Sequence, residues 1–446
     1  MRVIDRPLTK RVLLLAYPAM VSMLSHTLLS LVDTAMVGRL GAESLAAVGI
    51  GAMVMYVVMS GFFAIDSGSR AIVARYFGAG KFSNCGQIFQ QALILSVLFG
   101  AAITAAGCFF SEDMYRLIRA EPGVTSLGGE YLRLRLFGAA FIFAAFAFNG
   151  LFTGLGDTKT PMVVMVVANS LNVALNYTLI FGKLGFPAMG VKGAALATVI
   201  ARVSGFSIYL AVTLSKKSLR RFSPYGSFSL HRERMKQLIR VASPTSFEQV
   251  LEAAGFLAFT VIVTQLGTVP LAAHNIGLNI TMLSFMPAFG FGVAASTLVG
   301  QSLGAKRFGE AEHSGWTAAT LGVLFMSFMG LVFFFLPKYL MMIFTNDREV
   351  IRQGVTILKI LAFFQPFDGL GMILGLALRG AADTRWVMAC NLAITWLLFV
   401  PGSYLLALPL GFRLNGSWWA LGLLLFASGT AMAWRFRNGK WKKIKI

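Results

Sequence analysis

Three carboxylates stand where an apolar helix should not carry one. Asp33 lies within Leu28-Leu29-Ser30-Leu31-Val32-Asp33-Thr34, and Glu252 follows Pro244 in an apolar run that reaches Leu266. Asp368 comes just after Phe363-Phe364-Gln365-Pro366-Phe367. A carboxylate near a bilayer centre costs at least ~2.5–3.5 kcal/mol, so it persists where it binds something. Such a group takes a proton, an alkali cation or an organic ammonium, one at a time. Each also has a plainer reading: Asp33 as an interfacial cap, Asp368 as a group satisfying backbone freed by Pro366. Glu248, one turn before Glu252, is nearer its helix start and more easily solvated. His26 shares a face of the first helix with Asp33, seven residues on. An imidazole titrates near neutrality and can accept a proton, although a histidine bonded to a neighbouring helix for packing is equally consistent.

The elements that hold these groups are written in the composition. Of 446 residues, 57% are hydrophobic and 13% charged, against roughly 25% charged in a soluble domain. Apolar runs of ~20 residues recur one after another, as a bilayer requires. Twelve spans are expected, at about 12–38, 45–66, 86–109, 133–154, 162–182, 190–214, 241–265, 271–293, 315–336, 355–378, 387–408 and 416–434. The first run is too long for the apolar region of a cleaved leader, so it is read as the start of the fold. Cys85, Cys108 and Cys390 show no paired spacing and point to neither disulfides nor a metal site. No soluble domain is expected.

The chain also repeats itself at an offset of 226 residues. Pro18 falls on Pro244, Leu40-Gly41 on Leu266-Gly267, Gly78-Ala79 on Gly304-Ala305, Asp157-Thr158 on Asp383-Thr384, and Gly190 on Gly416. The fold class expected is therefore an all-α integral membrane protein: twelve transmembrane helices in two pseudo-symmetric six-helix bundles. The domains expected are a lobe over 1–214, a basic linker over 215–240, a second lobe over 241–434 and a basic tail over 435–446. The acids break the repeat: Asp33 falls on Phe259, Glu252 on His26 and Asp368 on Ile142. Repeated apolar bundles with a site between them are an architecture of secondary transporters.

A net charge of +21 raises the question of nucleic acid, but its placement answers otherwise. With both termini on one side, 26 of the 39 Lys and Arg lie on that side, eight of them in the central linker. Basic residues concentrate in cytoplasmic loops, so both termini are expected inside a plasma (inner) membrane, with the linker near anionic headgroups. Nucleic-acid binding is not expected. Asp157 and Asp383 read as turn and cap chemistry, Asp66 as a partner for Arg70 four residues on, and Arg202 as either snorkelling or paired with an acid.

The motifs resemble the multidrug and toxic compound extrusion (MATE) transporters. They are Leu31-Val32-Asp33-Thr34-Ala35-Met36-Val37-Gly38, Gly154-Leu155-Gly156-Asp157-Thr158-Lys159, Leu378-Arg379-Gly380 with Asp383-Thr384, and Ala272-Ala273-His274. The first is most similar to the DNA-damage-inducible F (DinF) branch. The resemblance implies export of organic, often cationic amphiphiles in exchange for H⁺ or Na⁺, with no cofactor and with membrane lipids as surroundings. It places Asp33 and Asn172 in an N-lobe cation site, where Asn176 replaces a second aspartate of some members. Glu252 and Asp368 match acids of the NorM branch, where Phe364 replaces a tyrosine. The resemblance, with His26 added from its place on the Asp33 face, nominates Asp33, His26, Asn172, Asn176, Glu252 and Asp368 for cation coupling, and Asp33, Glu252, Phe364 and Asp368 for substrate.

With two oxygen ligands replaced, a proton is favoured over Na⁺, which needs several oxygens around it. Glu252 and Asp368 with backbone carbonyls could still hold Na⁺. A monomer is expected. A lipid-linked oligosaccharide flippase would need a basic cavity, and an integral-membrane enzyme would need clustered acids or a nucleophile–base pair.

Overall fold

The computed structural model describes residues 6–215, 222 and 230–444. Of the linker basics, Lys216, Lys217, Arg220 and Arg221 lie outside the described residues, as do Arg2 and Lys445. Among the described residues there is no strand.

The helices are α1 (Arg6–Gly38), α2 (Ala42–Gly78), α3 (Phe82–Leu117), α4 (Pro122–Phe137), α5 (Ala139–Leu155), α6 (Lys159–Phe181) and α7 (Gly190–Ser215). The second half runs α8 (Arg232–Thr264), α9 (Thr268–Gly304), α10 (Phe308–Phe335), α11 (Pro337–Met342), α12 (Arg348–Gly380), α13 (Thr384–Ala393), α14 (Val400–Ala407) and α15 (Arg413–Asn438). Among the described residues, eleven helical segments are long and apolar enough to cross a membrane, and the pair α4–α5, bent by 43°, makes a twelfth when taken as one span. The chain is a multi-pass membrane protein.

The repeat offset reappears in the backbone. Helices α1 and α8 begin and end 226 residues apart, as do α2 and α9. Gly41 and Gly267, which open α2 and α9, share φ values of 110° and 108°. That region is closed to most side chains, so glycine is required at both.

Three differences interrupt the symmetry, the first being that the single helix α3 has as its mate the broken pair α10 and α11. The break between α4 and α5 falls at Gly138, whose repeat mate in the unbroken α12 is Phe364. The span that begins with α13 passes through a π-helical turn over Ile394–Phe399 before α14, whereas its mate α6 is regular. Such turns are rare and often mark functional positions.

By contact the residues fall into two compact units, Val21–Ala242 and Met1–Met20 with Ser243–Ile446. Helix α1 begins in the second unit and continues into the first, and α8 does the reverse. Both crossings lie two residues from the repeat-equivalent prolines, Pro18 in α1 and Pro244 in α8. Each helix start is seated on a glycine of its host unit. A Cβ on Gly290 would lie 2.9 Å from the Ala16 carbonyl, and one on Gly68 would lie 3.0 Å from the Ala242 methyl. Small residues allow this backbone approach between apolar helices.

Candidate functional site

In the Val21–Ala242 unit, α1, α6 and α7 bring one polar chain together inside apolar helices. Asp33 is half-buried on α1, and its Oδ1 accepts from Asn176 Nδ2 at 2.5 Å. Asn176 Nδ2 also donates to Asn172 Oδ1 at 2.9 Å, one turn earlier on α6. Asn172 in turn meets Thr198 Oγ1 of α7 at 3.2 Å. Turned over, the Asn172 amide donates to Asp33 Oδ1 at 3.1 Å and accepts from both the hydroxyl and the backbone N–H of Thr198.

Both asparagines are 1% exposed, and the Asn176 Oδ1 is buried without a donor. No Lys or Arg among the described residues lies within 4 Å of Asp33. The repeat mates of Asp33, Asn172, Asn176 and Thr198 are Phe259, Leu398, Gly402 and Leu424, so the chain of polar groups has no counterpart in the other half. His26, two turns before Asp33, is exposed and has no hydrogen-bond partner among the described residues. It does lie within electrostatic reach of Arg135 and Arg202, as Asp33 does.

The other unit holds its acids differently. Glu248, expected to be the more solvated of its pair, is fully buried. Its Oε1 accepts from Arg379 Nη2 and from Asn391 Nδ2, each at 2.6 Å, and Ser428 Oγ donates to Asn391 Oδ1 at 3.3 Å. The reason is that α12, α13 and α15 close over this turn of α8, and the guanidinium replaces the water the carboxylate would otherwise need. Glu252, one turn on, and Asp368 on α12 have no hydrogen-bond or ion-pair partner among the described residues. Phe364 lies edge-on to Trp419 at 5.7 Å and faces Gly422, so its ring fills the α12–α15 contact.

Other polar groups are structural. Asp66 pairs with Arg70 at 2.7 Å and accepts from Asn149 at 2.8 Å, fully inside the Val21–Ala242 unit. Asp157 caps α6 through the Thr160 N–H and hydroxyl. Asp383, read as its cap-forming mate, instead takes a two-pronged bond from Arg435 at 2.7 and 3.2 Å. The cause is in the repeat: Arg435 falls on Tyr209, so only the second half offers a guanidinium there. Among the described residues no group of three His, Cys, Asp or Glu is placed to hold a metal ion.

The MatE family matches this chain twice, over residues 18–178 and 244–405. The chain belongs to that family. A probable multidrug resistance protein NorM of Thermotoga maritima is 31% identical over 97% of this chain and 93% of its own length. The multidrug resistance protein NorM of Burkholderia vietnamiensis is 30% identical over 95% and 92%. Among solved structures, a MATE protein in a straight conformation superposes with a TM-score of 0.89 at 25% identity, covering 97% of both chains. A MOP-superfamily transporter from Pyrococcus furiosus does so at 0.90 with 23% identity, over 98% and 97%. The family and these neighbours are transporters, not enzymes, and the twelve-helix fold is theirs.

Sequence reasoning missed the partners rather than the acids. Thr198, Asn391 and Ser428 are ordinary residues in apolar runs, and nothing in a single sequence marks them until the helices are laid side by side.

Proposed function

We propose that this protein is a cation-coupled antiporter that exports organic, often cationic, amphiphiles by alternating access, and that Asp33 is its coupling carboxylate. The observation that carries this reading is the bonding of Asp33: a half-buried carboxylate on a membrane-spanning helix held by neutral amides alone. A carboxylate with no cation in direct contact has a vacancy for a mobile one. The coupling cation and a cationic substrate then compete for a single charge, and that competition links export to ion entry. The relatives named for multidrug resistance support the substrate class.

The amides suit the task because each carries a donor and an acceptor. With Asp33 ionised, Asn176 donates to it. With Asp33 protonated, its O–H donates a hydrogen bond to a turned amide, and the buried Asn176 Oδ1 supplies the accepting oxygen. A set of one carboxylate and two amides favours H⁺ over Na⁺, which wants more oxygens around it. Glu252 and Asp368, both without a partner, support a second acidic station for the cation or for the ammonium of the substrate. His26, on the Asp33 face, suits proton relay. Both termini lie in the cytoplasm on this reading, because that orientation puts most basic loop residues inside.

The test is export of a fluorescent cation from proteoliposomes driven by a pH step or a Na⁺ step. Export that follows the pH step in the wild type and is lost in Asp33→Asn is the expected result. Export by Asp33→Asn at the wild-type rate would overturn the assignment.

A further inference from the structure

Three of the buried or partly buried arginines in this molecule are paired with acids. Arg70 meets Asp66 at 2.7 Å, Arg379 meets Glu248 at 2.6 Å and Arg435 meets Asp383 at 2.7 Å. Arg135 at the end of α4 and Arg202 on α7 depart from that pattern. Neither has a carboxylate within 4 Å among the described residues, and both are partly buried in membrane-spanning segments. Arg202 Nη1 has only the Met165 sulfur at 3.8 Å, a weak acceptor. Arg135 Nη1 donates to the Tyr131 hydroxyl at 2.8 Å, its guanidinium lies over that ring at 5.5 Å, and its Nε is buried without an acceptor.

The two belong to one place. A Cβ on Gly138 would touch Val199 at 3.1 Å, and Phe141 rings against Phe206 at 5.6 Å. That register puts Arg135 one turn before this contact and Arg202 one turn after it, within about two turns along the helices. They lie within electrostatic reach of each other and of Asp33. Two guanidiniums near one carboxylate leave net positive charge among apolar helices.

The repeat makes the departure sharper. Arg202 and Met165 fall on Ser428 and Asn391, the two residues that complete the Glu248 network in the other half. Where one half has a buried carboxylate with its own arginine, the other has an arginine with no carboxylate.

We propose that Arg135 and Arg202 form an anion subsite in the Val21–Ala242 unit, which receives the carboxylate of amphiphiles that carry one. The proposal rests on the export reading and names the residues that would hold the acidic end of a zwitterionic substrate. The planar, forked guanidinium matches a carboxylate in two parallel bonds, and low surrounding polarity strengthens them. The ammonium of the same molecule would approach Asp33 and compete there with the coupling cation.

The test uses a rhodamine with a free benzoate and its methyl ester, a plain cation, and follows binding by fluorescence anisotropy without any ion gradient. The full chain is held in nanodiscs of phosphatidylcholine. Wild type is expected to bind both dyes. Arg135→Gln and Arg202→Gln are expected to weaken the benzoate dye by roughly tenfold or more, the effect of unpairing a desolvated charge pair, and to change the ester by less than about twofold. Ester binding shows that each variant is folded. Arg202→Lys, which keeps the charge, recovers part of the loss.

Equal loss of both dyes, loss of neither, or a wild type that binds only the ester would overturn the subsite. A further arm replaces part of the lipid with phosphatidylglycerol. Displacement of the benzoate dye in wild type but not in the arginine variants would assign the site to a lipid phosphate and overturn the substrate assignment. A wild type that binds neither dye would sink the export reading, and this proposal with it.

Discussion

The two halves of this chain share a backbone and differ in how they treat charge. Around Asp33, the first half surrounds a carboxylate with neutral amides and leaves two arginines without acids. Around Glu248, the second half neutralises its carboxylate with Arg379 and leaves Glu252 and Asp368 without partners. A buried pair that is internally satisfied gives nothing up to a ligand, whereas an unsatisfied charge in an apolar setting binds one. The scaffold was duplicated and the chemistry was not: every group proposed here for coupling or substrate has a mate of different character at the 226-residue offset.

The largest effect expected is on the satisfied pair. Arg379→Ala leaves Glu248 buried and unpaired and should cost about 3–5 kcal/mol. Thermal melting of the purified variant should show that loss, and an unchanged melting temperature would mean that the pair is not structural.

The carboxyl end supplies the next contrast. Trp441 is buried against Phe436 with stacked rings 4.6 Å apart, its indole N–H donates to the Phe436 carbonyl, and Lys442 pairs with Glu312 at 2.6 Å. Its repeat mate, Ser215, only ends α7. Trp441→Ala should cost about 3 kcal/mol by removing a large packed side chain, again read by melting. Ser215→Ala should shift nothing measurable.

At the unsatisfied end, Asn176→Leu removes the donor to Asp33 without adding charge. Losing a bond to a charged group costs about 1.5–3 kcal/mol, so the pH dependence of export should move while the amount of folded protein stays the same. Export with an unmoved pH profile would detach Asn176 from the coupling group. The smallest effect tests the symmetry itself. Gly41→Ala and Gly267→Ala each place a side chain at φ near 110° and should each cost about 1–3 kcal/mol, by similar amounts. Unequal losses would show that the halves are less alike than their backbones.

The architecture was legible because it is periodic: apolar runs of bilayer length, and Gly, Pro and Asp-Thr in register at one offset. Asp33, Glu252 and Asp368 were legible because a carboxylate in an apolar run is costly wherever the helix lies. What could not be read is pairing across helices. Glu248 was ranked below Glu252 from its position near a helix start, since no single sequence shows Arg379 and Asn391 closing on it. Arg202 was visible as an anomaly, but its contact with the Met165 sulfur was not. The unit boundary near Pro18 was likewise hidden, because a helix that passes between two units looks like any other apolar run.

The central claim is that Asp33 holds the coupling cation until a cationic substrate displaces it. The most direct measurement is proton release on adding a permanently cationic dye to purified, weakly buffered protein, with Na⁺ absent. The account predicts release from the wild type, approaching one proton per bound dye, and none from Asp33→Asn. Equal release from both proteins would contradict it.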